Sequence, residues 1–246
     1  MKFEKVEINN QWELMLPYFR AKEWRDWEVW EVERLESMKL NIAKGNTLLE
    51  IGAEEGDFAA LAASWGAKVA LIEPSPIMWP NIREIFKQNN LKDPVACFAG
   101  FASDKVIEGK TNFDNKIDKG YPKCAYSENL PFREFRHLDR EGETTDSITV
   151  DEFIKRNNFK PDMVSIDVEG SEWEVLRGME LTLTNIQPMV YVSIHHDLLG
   201  KNYSKYFQDI LALIAPHGYK MYYLGHDHET HVVFYHKSLK IIQTIV

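Results

Sequence analysis

Four short stretches of this chain carry residue types that could do chemistry. The first is Leu48-Leu49-Glu50-Ile51-Gly52-Ala53-Glu54-Glu55-Gly56-Asp57. An apolar run ends in an acid, and Gly-x-x-x-Gly then leads into an Ala-rich segment. Glycines let backbone approach a ligand closely and turn sharply. A dinucleotide loop would place glycine where Glu54 stands, and a phosphate-cradling loop would need Gly-Lys-Ser/Thr, which is absent. Glu54 and Glu55 would repel a pyrophosphate, so the loop suits a ligand whose contacting part is not a phosphate. The second stretch is Leu71-Ile72-Glu73-Pro74. Glu73 lies about 20 residues beyond the loop, the spacing at which an acid accepts hydrogen bonds from a ribose. A glycine loop without phosphate logic, followed by a ribose acid, points to S-adenosylmethionine. Glu50 could face the positively charged methionine part. Gly52, Ala53, Glu54, Gly56, Glu73 and Pro74 are the remaining candidates for cofactor contact.

The third stretch, Pro161 to Gly178, holds Asp167 and Glu169 where an apolar run meets a helical one. Such a pair can orient a substrate, act as a general base or hold a divalent cation. Acids also favour the positive end of a helix, so a purely structural role stays open for Glu169. The fourth is His195-His196, which follows the apolar run Met189 to Ile194. A neutral histidine there could take a proton from an attacking hydroxyl. Alternatively, Asp167, Glu169, His195 and His196 could hold a divalent metal that acidifies the hydroxyl. The polar turn Gly225-His226-Asp227-His228-Glu229-Thr230-His231 reads first as a solvated turn.

The elements that must position these residues follow a strand-helix rhythm. Strands are expected over Thr47–Ile51, Lys68–Ile72, Val95–Ala99, Met163–Ile166 and Met189–Ile194. Helices are expected over Asp57–Trp65, Ile82–Asn89, Thr149–Asn157, Ser171–Thr184 and Tyr203–Ile214. A hairpin of Tyr219–Leu224 and His231–Tyr235 closes the chain. Alternation of this kind implies parallel βαβ units, with helices on both faces of an open sheet. Ligands in such sheets bind beyond the carboxyl ends of the strands. Asp167, carried on one of those ends, is a candidate for both cofactor contact and catalysis. Two segments stand outside the rhythm. Residues 1–44 form a tryptophan-rich extension, where Trp24, Trp27, Trp30, Val32, Leu35 and Leu40 roughly follow one helical stripe. Packing on the main domain is the favoured role, with a lid or a dimer surface as alternatives. Residues 100–146 lack periodicity but keep aromatics, which suggests an insertion near the active site. One domain over residues 1–246 accommodates both.

The runs IDVEGSEWEVLRG, LLEIGAEEG, LIEPSP and TVDEFI together resemble the FkbM family of methyltransferases. The resemblance covers about residues 45 to 196. It implies a class I, Rossmann-like sheet of seven strands, mostly parallel, with its last strand antiparallel. It further implies methyl transfer from S-adenosylmethionine to a hydroxyl oxygen of a sugar, glycan or secondary metabolite. Carried over by position, Gly52 and Gly56 line the cofactor, Glu73 holds the ribose, and Asp167 and Glu169 sit at the reaction rim. Trp79, Tyr121, Tyr126 and Tyr203 are candidates to stack on a sugar face. Two readings compete with O-methylation: N-methylation of a small polar substrate, and a silent methyltransferase fold used for binding.

Composition narrows the partners. The 246 residues are 44% hydrophobic and 27% charged, close to an ordinary globular chain. Asp plus Glu outnumber Lys plus Arg by 38 to 29, and no basic stripe interrupts the acidity, so a nucleic-acid acceptor is disfavoured. No apolar run approaches the roughly 20 residues of a membrane span. Two cysteines outside any CxxC pair, and no apolar leader, fit a reducing cytoplasm.

Overall fold

The computed structural model describes residues 2–75, 78–108, 113–114, 121, 123–124, 146–227 and 229–239. The chain opens with a hairpin, β1 (Phe3–Ile8) and β2 (Trp12–Pro17), followed by α1 (Tyr18–Trp27) and α2 (Val32–Asn41). Then come β3 (Thr47–Ile51), α3 (Asp57–Ser64), β4 (Lys68–Ile72), α4 (Met78–Gln88) and β5 (Ala96–Phe98). Four short pieces follow: β6 (Phe101–Ala102), β7 (Phe113–Asp114), β8 (Lys123–Cys124) and β9 (Ser147–Ile148). The rhythm resumes with α5 (Val150–Asn157), β10 (Met163–Ile166), α6 (Glu172–Arg177), β11 (Met189–Ile194), α7 (His196–Leu199) and α8 (Tyr203–Ile214). The last pair is β12 (Tyr219–His226) and β13 (Thr230–His236).

Seven strands form one sheet in the order β12-β13-β11-β10-β3-β4-β5. The pairs β10–β11, β10–β3, β3–β4 and β4–β5 are parallel. β13 runs antiparallel between β11 and β12. This is the seven-stranded, mostly parallel Rossmann-like sheet that the family resemblance implied, with its last strand reversed. The strands are short and buried on both faces, as helices on each side require. Side chains alternate between two cores. Leu49, Ile51, Val164, Ile166, Val190, Val192 and Ile194 meet α5, α6 and α8. Leu48, Val69, Leu71, Met163 and Tyr191 meet the hairpin and α1 to α4. On this second face Glu50, Ser165 and Ser193 also point inward and are buried. The Thr149 side chain accepts from Glu152 N at 3.1 Å, so α5 carries the expected N-terminal cap.

The N-terminal stripe departs from a single helix. Glu28 (φ 60°) and Glu31 (φ 48°) take left-handed backbone and split it into α1 and α2. Ahead of them lies the β1–β2 hairpin, whose Val6, Ile8, Leu14 and Leu16 are buried while intervening residues face out. Its Asn9-Asn10 pair has φ of 50° and 55°, the geometry of a tight primed turn. Asn89 clamps the hairpin to the end of α4, donating to Met15 O and accepting from Met15 N, each at 2.8 Å. Trp24 is 1% exposed and shares one apolar cluster with Leu48 of the sheet. The expected helix over Ser171–Thr184 is also divided, into α6 and a separate wide turn over Thr182–Ile186. Most of the segment 100–146 lies outside the described residues.

Candidate functional site at the carboxyl end of the sheet

A cavity of about 800 Å³ opens where β3, β4 and β10 end. That size suits a small-molecule ligand. Its floor is the glycine loop. Gly52 has φ +82°, and a Cβ there would lie 1.7 Å from Asp167 O, so no larger residue fits between the β3 and β10 ends. Gly52 N and Ala53 N donate to Ile72 O at 2.9 and 3.3 Å. Glu73, 6% exposed, follows β4 and faces this loop. Its Oε2 accepts from Glu54 N at 2.9 Å and its Oε1 from Ser75 N at 2.7 Å.

The N-terminal segment forms one wall. Arg20 of α1 donates through Nε to Asp57 Oδ2 at 2.8 Å and reaches Glu54 at 3.4 Å. Trp24 Nε1 donates to the same Asp57 oxygen at 2.7 Å. Burial pushes the Asp57 carboxyl up, but Arg20 and these hydrogen bonds outweigh it and hold the carboxyl below its usual range. Trp27 and Trp30 stack with centroids 4.5 Å apart, and both line the cavity. The extension therefore packs into the core through Trp24 and borders the site through Trp27 and Trp30.

Next to Trp30 and Glu31 lies a rim of charge. Asp167 follows β10, with its N–H on Ile51 O at 3.0 Å. Arg34 of α2, 1% exposed, donates to Asp167 Oδ2 at 3.2 Å and to Ser165 Oγ at 2.7 Å, and pairs closely with Glu31. His195, 5% exposed, meets Glu172 Oε1 through Nδ1 at 2.9 Å. Its Nε2 lies 3.1 Å from Glu229, 3.5 Å from Asp167 and 3.5 Å from Glu169. Burial lowers the His195 pKa, yet Glu172 and Glu229 overcome it and the net shift is up to about 11. Asp167 moves up as well, through burial and the neighbouring charge of Glu229, against the pull of Arg34.

The cavity thus gathers Gly52, Ala53, Glu54, Glu73, Pro74, Asp167 and Glu169 from the sequence candidates. His195 does not line it but meets the lining residues Asp167, Glu169 and Glu229, and three further candidates fall elsewhere. Glu50 points into the interface beneath α2, where Ser165 Oγ donates to it at 3.2 Å; burial raises its pKa to about 7. It does not face the cavity, because side chains alternate along β3 and Ile51 takes the position at the rim. Gly56 (φ +82°) begins α3, and a Cβ there would meet Ile82 at 2.9 Å, so its glycine serves helix packing. The His196 ring lies against Tyr203 and His226, with centroids 6.0 and 4.7 Å away. Among the stacking candidates, Trp79 is buried and donates to Glu73 O at 3.2 Å. Tyr121 packs on Phe86, and the Tyr203 hydroxyl donates to Thr230 at 2.7 Å. Tyr126 and His228 lie outside the described residues.

Sequence reasoning did not find Arg20, Glu31, Arg34, Glu172 or Glu229. Glu172 had a visible signal, since it stands five residues after Asp167 in the same acidic run. Glu229 was hidden in a turn that reads as solvated, yet it is 5% exposed.

Sheet order, glycine loop and ribose-spaced acid define a class I, Rossmann-like methyltransferase architecture. A family model, the methyltransferase FkbM domain, matches residues 50–221, and the chain belongs to that family. The crystal structure of methyltransferase FkbM from Methylobacillus flagellatus KT superposes with a TM-score of 0.51 at 16% identity. The match covers 78% of this chain and 44% of that one, so this chain spans less than half the length of that protein. A ribosomal protein L11 methylase from Lactobacillus delbrueckii subsp. bulgaricus gives 0.49 at 13% identity, over 83% of this chain and 77% of that one. Precorrin-6y C5,15-methyltransferase from Geobacter metallireducens GS-15 gives 0.47 at 12%, over 84% and 88%. At such identities the likeness is one of fold. No curated protein sequence matches the chain. Among the described residues, no helix is long and apolar enough to cross a membrane.

Proposed function

We propose that this domain transfers the methyl group of S-adenosylmethionine to a hydroxyl oxygen of a sugar or sugar-bearing small molecule. The observation that carries the reading is the shared cavity. The glycine loop and Glu73 line it together with Asp167 and Glu169. The residues fit the cofactor. Gly52 lets the loop lie close against the end of β10 at the cavity, and the buried Glu73 carboxylate lines the same cavity at the position of a ribose acid. The lining includes Glu31, Glu54, Glu73, Asp167, Glu169, Glu174 and Glu229, and its described cation, Arg20, is engaged by Asp57. Such a field attracts a sulfonium and repels phosphorylated acceptors.

When bound, the cofactor supplies a methyl on a sulfonium: the C–S bond breaks as the C–O bond forms, and sulfur keeps the electron pair. What remains for the protein is alignment and one proton. The stacked Trp27 and Trp30 border the space an acceptor would enter. His195, ringed by carboxylates, holds its own proton. We therefore assign the hydroxyl proton to Glu169, whose carboxylate lines the cavity with its side chain 77% exposed. A second reading draws on the same acidity: an amine acceptor, methylated on nitrogen, would also be drawn to these carboxylates.

Calorimetric titration with S-adenosylhomocysteine tests the first half. The wild-type chain is expected to bind, and Glu73→Ala to bind at least about tenfold more weakly, one charge-assisted contact being worth about 1.5–3 kcal/mol. Absence of wild-type binding would overturn the reading. A radiolabelled-methyl assay on neutral sugars, sugar phosphates and amino sugars tests the second half. Label in a base-stable ether on a neutral sugar supports O-transfer, whereas label only on amino nitrogen replaces it with the second reading.

A further inference from the structure

We propose that Asp167, His195 and Glu229 form a binding site for one divalent transition-metal ion at the rim of the cavity. The inference deepens the methyl-transfer reading, since the ion would sit where an acceptor hydroxyl enters. Donor atoms of these three residues lie within 4.8 Å of one another. His195 Nε2 is the centre of the arrangement. It is buried and makes no aligned hydrogen bond, although carboxylate oxygens of Glu229, Asp167 and Glu169 lie 3.1, 3.5 and 3.5 Å away. Neighbouring donors on an octahedral ion with bonds near 2.1 Å are roughly 3.0 Å apart. The atoms therefore already stand at about the spacing of a coordination shell.

The far side of the imidazole supplies an independent sign. A metal-ligating histidine almost always donates its other N–H to a carboxylate or carbonyl. Here Nδ1 meets Glu172 Oε1 at 2.9 Å. Glu172 is fully buried and fixed, accepting from Gly170 N at 2.9 Å and from the Tyr206 hydroxyl at 2.8 Å. That network sets the tautomer and aims Nε2 into the carboxylates. Arg34 occupies Asp167 Oδ2 and leaves Oδ1 directed at His195. Mixed imidazole and carboxylate donors suit Mn²⁺, Fe²⁺ or Zn²⁺. The ion would displace the imidazole proton, as metals do at histidine sites. A bound acceptor hydroxyl would be acidified there.

The ligand set differs from the one the sequence suggested. His196 is turned away toward Tyr203 and His226. A neighbouring group, Glu31, Glu229 and His231, shares Glu229. Both nitrogens of His231 are already engaged, by Ser193 at 2.9 Å and Asp227 at 3.1 Å, so the His195 group is the better receptor.

Mn²⁺ titration of tag-free, EDTA-treated full chain, read by the electron paramagnetic resonance of free Mn²⁺, tests the site. One ion is expected per chain, displaced by Zn²⁺. Glu229→Gln and His195→Ala are each expected to weaken it at least tenfold, and Glu172→Gln, which keeps all three ligands, about 10–100-fold. His196→Ala should bind as wild type does. Glu229→Gln is nearly isosteric, and its far-UV circular dichroism and thermal melting verify that it is folded. No Mn²⁺ or Zn²⁺ binding by wild type, or equal binding in folded Glu229→Gln and His195→Ala, overturns the proposal. S-adenosylhomocysteine binding without metal binding would remove the metal site alone and leave the methyl-transfer reading standing.

Discussion

The two faces of the sheet are built differently. Under α5, α6 and α8 the contact is apolar: Val164, Ile166, Val190 and Val192 meet Phe153, Leu176 and Ile210. Under α2 the contact is laced with polar groups. Arg34 joins Ser165 and Asp167, Ser37 bonds the Tyr191 hydroxyl at 3.0 Å, and Ser193 bonds His231 at 2.9 Å. The first face holds the fold by burial, which is non-directional. The second adds to its own apolar core hydrogen bonds and ion pairs, which fix orientation, and they run up to the Asp167–His195 rim. The difference shows where this chain places geometric control: beneath the half of the cavity where a reacting group must be oriented.

The largest break of that contrast is expected at Arg34. Arg34→Ala would leave Glu31 and Asp167 in a buried site without their cation, which typically costs about 3–5 kcal/mol. Urea unfolding should show a loss of that size, and calorimetry a weaker affinity for S-adenosylhomocysteine, by about tenfold. On the apolar face, Leu183→Ala should cost about 3 kcal/mol, from lost burial and the cavity left behind. Its S-adenosylhomocysteine affinity should stay within about twofold of wild type. A large affinity loss there would show that the two faces are not separable. The smallest effect is expected for Ser37→Ala, which removes one hydrogen bond to Tyr191 at about 1 kcal/mol. A loss several times larger would mean that the polar layer is cooperative rather than a sum of pairs.

Part of this was legible in the chain. The βαβ rhythm appeared because buried parallel strands need short apolar runs and their helices need periodic ones. Gly52 and Glu73 stood out because the glycine loop and the acid about 20 residues on are local features of one βαβ unit. The β1–β2 hairpin was also readable, through the alternation of Val6 and Ile8 and the Asn9-Asn10 turn. Glu50 was misplaced because one step along a strand reverses the face a side chain takes.

By itself the sequence determined the alternating strands and helices from β3 onward that bring a glycine loop and two acids to the carboxyl ends of the strands, because those signals reside in neighbouring residues. Only the tertiary structure decided what surrounds His195. Glu172, 23 residues earlier, and Glu229 in the last turn reach it from separate elements. Arg34 meets Asp167 across 133 residues of chain. No periodicity encodes such meetings, because they follow from the order in which strands pair and from helices packing over them.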